Sequence, residues 1–253
     1  KRVLALGGAK NHIILMPDAE PEMASRGITD SYTGCAGQRC MAASVLLAVG
    51  ESKAIDPLIQ KTVERARSMA LGKDMGAIIT KESLAKLTGA IDRAKAKGAK
   101  VLLDGRAAEA PADYKGGNWL GATILDGVTP GSEAATDELF GPVLSVVRVK
   151  TLSEALALQA KSPFGNAASV FTQNGAVATR VAEEAHGGMI GVNIGVPAPM
   201  AWFPFTGWNA SFFGDLHIQG REGMMFYTQQ KMVMTRWPAP PSAGKREPGW
   251  KPH

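Results

Sequence analysis

Apolar positions along this chain change period repeatedly, and each change marks an element. Residues 3–6 and 13–16 are short unbroken apolar runs, with Gly7, Gly8 and polar residues between them, and they predict two buried strands. Residues 17–21 form a turn with helix-start chemistry, ahead of a helix running to about Thr33. Residues 44–49 predict a strand closed by Gly50. Ile55, Leu58, Ile59, Val63, Ala66, Met69 and Ala70 fall on one helical face over residues 53–71, with Gly72 as the stop. Leu84, Leu87, Ile91 and Ala94 do the same over 81–97, closed by Gly98. Strands are expected at 101–103, 119–125, 142–149, 167–172 and 189–194, with a loop over 107–117. Two more helices are expected, one capped by Ser153 and one over 176–185. Strand and helix alternate throughout, which predicts an α/β fold with a mainly parallel twisted sheet and flanking helices. There is no internal repeat.

The chain of 253 residues is long enough for a substantial core, and 45% hydrophobic with 20% charged residues is ordinary for a soluble globular protein. The net charge of +5 is modest, and Lys245, Arg246 and Lys251 against Glu247 supply +2 of it. No nucleic-acid footprint is implied. No apolar run approaches the ~20 residues of a membrane span, and no signal peptide is expected ahead of the first strand. Two cysteines make no disulfide framework and predict free thiols in a reducing compartment: the cytoplasm, or the mitochondrial matrix in a eukaryote. The Pro- and Ala-rich stretch after Trp237 is expected to be disordered.

The densest chemistry lies in Thr33-Gly34-Cys35-Ala36-Gly37-Gln38-Arg39-Cys40-Met41-Ala42. A cysteine catalyses as its thiolate, which a neighbouring cation or a helix N-terminus favours. Arg39 adjoins Cys40, and Gly34, Ala36 and Gly37 let backbone amides approach a bound atom. The bland alternative is a buried cysteine acting as a small hydrophobe. Residues 41–43 read as a helix start or a buried turn. Cys35 is expected to be a buried thiol. His12, His186 and His217 are scattered without zinc-ligand spacing and read as scaffold.

Gly37-Gln38-Arg39-Cys40 resembles the nucleophile motif of the aldehyde dehydrogenase superfamily, and Asp137-Glu138-Leu139-Phe140-Gly141-Pro142-Val143 its nicotinamide-contacting segment. The run from Leu4 through Gly7, Gly8 and Lys10 to His12, together with Phe226-Tyr227-Thr228-Gln229, is similar to the CoA-acylating malonate- and methylmalonate-semialdehyde dehydrogenases. The resemblance covers Arg2 to about Trp237. It implies Cys40 as the nucleophile that forms a thioester, with its own N–H as one oxyanion donor. It implies NAD as cofactor, with Glu138 on the nicotinamide ribose hydroxyls and Phe140 against the ring, and CoA as co-substrate.

Arg39 is a candidate for the semialdehyde's carboxylate. The equal alternative is that it tunes Cys40 or braces the scaffold. Phe205 matches an aromatic of the family's substrate tunnel, or is an ordinary core ring. Ala5 stands where hydrolytic relatives carry a water-activating glutamate, so deacylation by water should be slow, unless Asp18, Glu20 or Glu22 substitutes. Loss of CO2 from the thioester follows from the resemblance alone.

The same resemblance divides the chain into a catalytic domain over 1–225, an oligomerisation strand over 226–237 and a tail over 238–253. It implies a homo-oligomer, dimer or tetramer. It also implies a dinucleotide-binding domain ahead of residue 1, because no Gly-rich strand–turn–helix fingerprint occurs here. The competing functions are a hydrolytic semialdehyde dehydrogenase, a non-catalytic assembly module, and a cysteine hydrolase with a His partner.

Overall fold

A computed structural model describes residues 1–238. In chain order the strands are β1 (Leu4–Leu6), β2 (Asn11–Leu15), β3 (Ala43–Val49), β4 (Lys100–Leu103), β5 (Thr123–Asp126), β6 (Val143–Val149), β7 (Phe164–Gly165), β8 (Ala167–Phe171), β9 (Met189–Val192), β10 (Trp208–Asn209) and β11 (Phe212–Gly214). The helices are α1 (Pro21–Thr33), α2 (Ser52–Arg67), α3 (Lys81–Ala96), α4 (Glu133–Thr136), α5 (Leu152–Gln159), α6 (Gly175–Glu184) and α7 (Gly220–Tyr227).

Seven strands form the central sheet in the order β4-β5-β6-β3-β2-β8-β9. All neighbours are parallel except β4, which runs antiparallel to β5 at the edge. The fold is therefore the expected α/β class with a mainly parallel sheet. Every residue of β2 and β8 is buried, as a parallel sheet covered on both faces requires.

Side chains alternate between the faces. Ile14, Val45, Leu47 and Val49 pack with Leu87 and Ile91 of α3, Leu156 of α5 and Val181 of α6. Ile13, Leu15, Leu46 and Ala48 pack with Ile28 and Tyr32 of α1 and with Ile55, Leu58, Ile59 and Val63 of α2. α1 starts on Pro21, with the Glu20 carboxylate accepting the N–H groups of Glu22 and Met23 at 3.0 and 2.6 Å, which satisfies two orphan donors of its first turn.

Several expectations need correction. The first strand is not buried: β1 pairs antiparallel with β11 in a separate ribbon, and Val3 and Leu6 are exposed. It is tied down by Arg2, whose guanidinium donates to the carbonyls of Met225, Phe226 and Thr228 and so caps the C-terminus of α7.

α2 ends at Arg67, short of Gly72. α5 is capped by Thr151, whose hydroxyl accepts the Glu154 N–H, whereas Ser153 accepts from Arg180. The strand expected over 119–125 begins only at Thr123. Before it, Gly121 crosses Gly105 backbone to backbone, its N–H donating to Gly105 O at 2.9 Å, and a Cβ on Gly105 would run into Gly121 O. β9 stops at Val192 because Asn193 turns to φ 55° and its side chain closes on Thr172.

Phe226 and Tyr227 belong to α7 and not to the oligomerisation strand. Residues 228–237 carry no ladder partner among the described residues. Of the expected tail over 238–253, all but Pro238 lies outside the described residues.

Candidate active site

Cys40 sits in a turn closed by the Ala42 N–H on Arg39 O at 3.0 Å, directly before β3. Residues 41–43 are thus a turn leading into a strand, and no helix starts there. Both cysteines are free and exposed, which corrects the buried reading of Cys35. Cys35 and Ala36 take φ 53° in a short 3-10 stretch over Gly34–Gly37.

Side chains fasten this loop on three sides. Gln38 reaches across to 77–79, donating to Ala77 O at 3.0 Å and accepting the Ile79 N–H at 2.9 Å. Arg39 Nη2 donates to Ser31 O at 3.1 Å and to Asp30 O, two carbonyls at the end of α1, while its buried Nε has no partner. Ser31 accepts the Ala43 N–H at 3.1 Å and donates to Gly195 O at 2.7 Å. A cation is well placed among the last carbonyls of a helix. The contacts seen for Arg39 are thus those of a brace.

The third side is the start of β2. Asn11 Nδ2 donates to Cys40 O at 2.7 Å and to Ala42 O at 3.0 Å, and Asn166 Nδ2 donates to Cys40 O at 2.9 Å. Two residues earlier, the Ala9 N–H donates to Glu138 Oε1 at 3.2 Å. The segment 9–11 therefore grips Cys40 through one residue and Glu138 through another.

The two motifs also meet directly. Gly37, at φ 68°, lies so close to Gly141 and Pro142 that a Cβ would run into Gly141 O. The Glu138 segment is held from behind by α3, through Lys86 Nζ on Glu138 O at 3.0 Å and a bidentate Arg93–Glu133 pair at 2.7 Å. Phe140 stands out at φ 59° with 44% of its surface exposed. Phe205 packs on the cluster of Met41, Ala167 and Met189, next to the residue that follows Cys40.

A half-buried carboxylate beside a projecting aromatic ring, over a Gly8 too tightly placed for a Cβ against Phe164, suits a ribose and a nicotinamide ring. Asp18, Glu20 and Glu22 lie beyond the far end of β2 from Cys40. Asp18 is bound to Thr172 at 2.9 Å, Glu20 caps α1, and Glu22 pairs with Lys61 at 2.5 Å. α1 has 13 residues, ~20 Å of helix, between Glu20 and the Cys40 loop. None of these three carboxylates therefore substitutes for the base that Ala5 lacks.

Sequence reasoning missed Asn11, Asn166 and Lys10. Lys10 is 3% exposed, its Nζ has no partner, and burial pushes its pKa down to about 8 while Asp137 and Glu138 pull it back up. His12 on the same strand is pushed down to about 4 by burial and by the Lys10 charge, so its ring is neutral at pH 7. The available signal was polarity itself, since Lys-Asn-His interrupts an apolar strand that alternation cannot place on a wet face. His186 and His217 lie elsewhere, against Asn209 and Glu222.

A thiol on a braced turn at the N-terminal ends of the central strands β2 and β3, with Glu138 tied to the same segment 9–11 and the exposed Phe140 ring two residues on, is an arrangement suited to nucleophilic redox chemistry. The chain matches the aldehyde dehydrogenase family over residues 1–233 and belongs to that family. Within it, the chain is 46% identical over 243 residues to malonate-semialdehyde dehydrogenase 2 of Geobacillus kaustophilus, covering 94% of this chain and 49% of that protein. Among solved structures, a protein assigned as methylmalonate-semialdehyde dehydrogenase from Sinorhizobium meliloti, complexed with NAD, superposes with a TM-score of 0.90 at 39% identity, over 95% of this chain and 50% of that one. Methylmalonate-semialdehyde dehydrogenase from Oceanimonas doudoroffii superposes at 0.89 and 40% identity, over 93% of this chain and 49% of that one. The chain spans about half the length of the curated relatives it matches.

Proposed function

We propose that this chain is the catalytic half of an NAD-dependent, CoA-acylating dehydrogenase. It oxidises malonate or methylmalonate semialdehyde with loss of CO2, giving acetyl-CoA or propionyl-CoA. The observation that carries the reading is the grip of segment 9–11 on both Cys40 and Glu138, which joins nucleophile and ribose-binding carboxylate in one wall.

The Cys40 thiolate attacks the aldehyde carbon, and the Cys40 N–H donates to the oxygen that becomes negative. Glu138, steadied by the Ala9 N–H, would hold the ribose hydroxyls of NAD, and the Phe140 ring would pack on the nicotinamide. Bound NAD would supply the acceptor for the hydride lost by the hemithioacetal carbon. Cys40 then carries a thioester. With Ala5 in place of a base, water is a poor attacker, and the CoA thiolate displaces Cys40 instead. The β-carboxylate leaves as CO2, its electron pair passing to the α-carbon of the thioester, which then takes a proton.

Arg39 braces the loop through Nη2. Its Nη1, without a hydrogen bond among the described residues, is the edge left for the substrate carboxylate. Phe205 walls the aldehyde's approach. A dinucleotide-binding half and a second oxyanion donor come from the remainder of the polypeptide, and residues 228–237 join subunits into a dimer or tetramer.

The test is NADH formation from malonate semialdehyde by the full-length polypeptide carrying this chain. Without CoA, one equivalent of NADH per subunit should form in a burst and turnover should then nearly stop. Adding CoA should restore steady turnover, and Cys40→Ser should abolish both phases. Full-speed turnover without CoA would instead establish the hydrolytic reaction.

A further inference from the structure

We propose that Asn11 and Asn166 are positioning residues for the thiol of Cys40. Their side-chain amides hold the Cys40 carbonyl inward, so that the side chain leaves the turn in one fixed direction. The inference rests on the reading of Cys40 as nucleophile and deepens it.

The two amides come from neighbouring parallel strands, 155 residues apart in sequence. Asn11 opens β2 and Asn166 immediately precedes β8. Asn11 Oδ1 accepts the Ala167 N–H at 3.0 Å, which fixes the flip of that amide and points its Nδ2 at the carbonyls of Cys40 and Ala42. Asn166 Nδ2 joins it on Cys40 O and also approaches Met41 Sδ at 3.4 Å. Both residues are almost wholly buried, at 2% and 7% exposure.

Cys40 itself is exposed, and a carbonyl in an exposed turn is satisfied by water without help. Burying two side-chain amides to serve it costs desolvation and rotamer freedom. The arrangement divides the residue, with its carbonyl locked into the interior of the sheet and its thiol facing out. The peptide planes that follow Cys40 and Ala42 lose their freedom to rock, because the two carbonyls hang from the same nitrogen. Displacement of a reacting group by 1 Å can cost on the order of 100-fold in rate, so this restraint is worth its cost at a nucleophile. Cys35, in the same loop, lacks it, since among the described residues its carbonyl accepts only from Gln38, N–H at 3.0 Å and side chain at 3.5 Å.

Cys35 therefore serves as an internal reference. The experiment measures iodoacetamide modification of each cysteine by peptide mass spectrometry, in the full chain at fixed pH under reducing conditions. The variants are Asn11→Ala, Asn166→Ala and the isosteric Asn166→Asp, which keeps the shape and loses the donor. Asn193→Ala is the control, because Asn193 clasps Thr172 in the same manner at the opposite end of the sheet.

Cys40 should react at least ~10-fold faster than Cys35 in the unaltered chain, since reactivity follows thiolate character and presentation. That ratio should fall about 10-fold in each Asn11 and Asn166 variant and hold in Asn193→Ala. In the full-length enzyme, Asn166→Asp should lower kcat for NADH formation with little change in KM for NAD. A ratio that survives Asn166→Asp, or that falls equally in Asn193→Ala, overturns the positioning role and leaves Cys40 as nucleophile. Equal reactivity of the two cysteines in the unaltered chain overturns both.

Discussion

Lys10 and His12 are the residues whose chemistry the fold tolerates at a cost. The ammonium of Lys10 is buried without a hydrogen-bond partner, and its folded pKa of about 8 lies below the 10.5 it has in solution. Between those values the unfolded chain keeps a proton that the native chain has released, so stability should rise with pH from about 8 to 10.5, by roughly 3 kcal/mol in all. His12 has the same sign in a lower window. As pH falls from 6.5 towards about 4 only the unfolded state gains a proton, and stability should be lost. Lys10→Met should flatten the alkaline slope in urea titrations at pH 7, 8.5 and 10. It should also soften the acid loss, because the Lys10 charge is one of the causes holding the His12 imidazole neutral. A stability curve unchanged by Lys10→Met would show that the ammonium is better served than its surroundings suggest.

At the scale of elements, the decisive contact is between two loops. Gly37 combines a left-handed backbone with main-chain contact to Gly141, whereas Gly127 has φ 66° and nothing near its missing Cβ. Gly37→Ala should therefore lower the unfolding free energy by at least ~2 kcal/mol more than Gly127→Ala, which carries backbone strain of only ~1 kcal/mol. Urea midpoints of the two variants give the comparison.

Much of this scale was legible in the sequence. The Ile13–Leu15 and Val45–Val49 runs are long and apolar enough to declare buried parallel strands, and Gly98 does stop α3, at φ 95°. What was not legible depended on distant partners. Val3 to Leu6 has the composition of a core strand, yet it lies in an outer ribbon because its partner is β11. Thr151 and Ser153 are equally good caps by composition, and Arg180 decides between them by occupying the serine. Cys40, Glu138 and Phe140 could be nominated from local motifs. Asn11 and Asn166 could not, because their meaning arises only where β2 meets β8.

For the whole molecule, the proposed function makes the chain one wall of a larger enzyme. Along 228–237, Met232, Met234 and Trp237 are 78%, 85% and 87% exposed. So much apolar surface on this segment is what the proposed subunit contact would cover. Met234→Lys with Trp237→Lys should move the full-length protein towards smaller species in sedimentation velocity, with Cys40 reactivity kept. Sedimentation unaltered by the pair would place the subunit contact elsewhere.

The touching of Gly37 and Gly141 reaches beyond stability. No side chain lies between the strip of backbone that carries the sulfur and the strip that would clasp the dinucleotide, so there is no cushion to absorb a shift of one against the other. In the proposed reaction, movement would then fall to the tips, the Phe140 ring and the Glu138 carboxylate, and exchange of one bulky visitor for another would proceed around a sulfur that stays where it is.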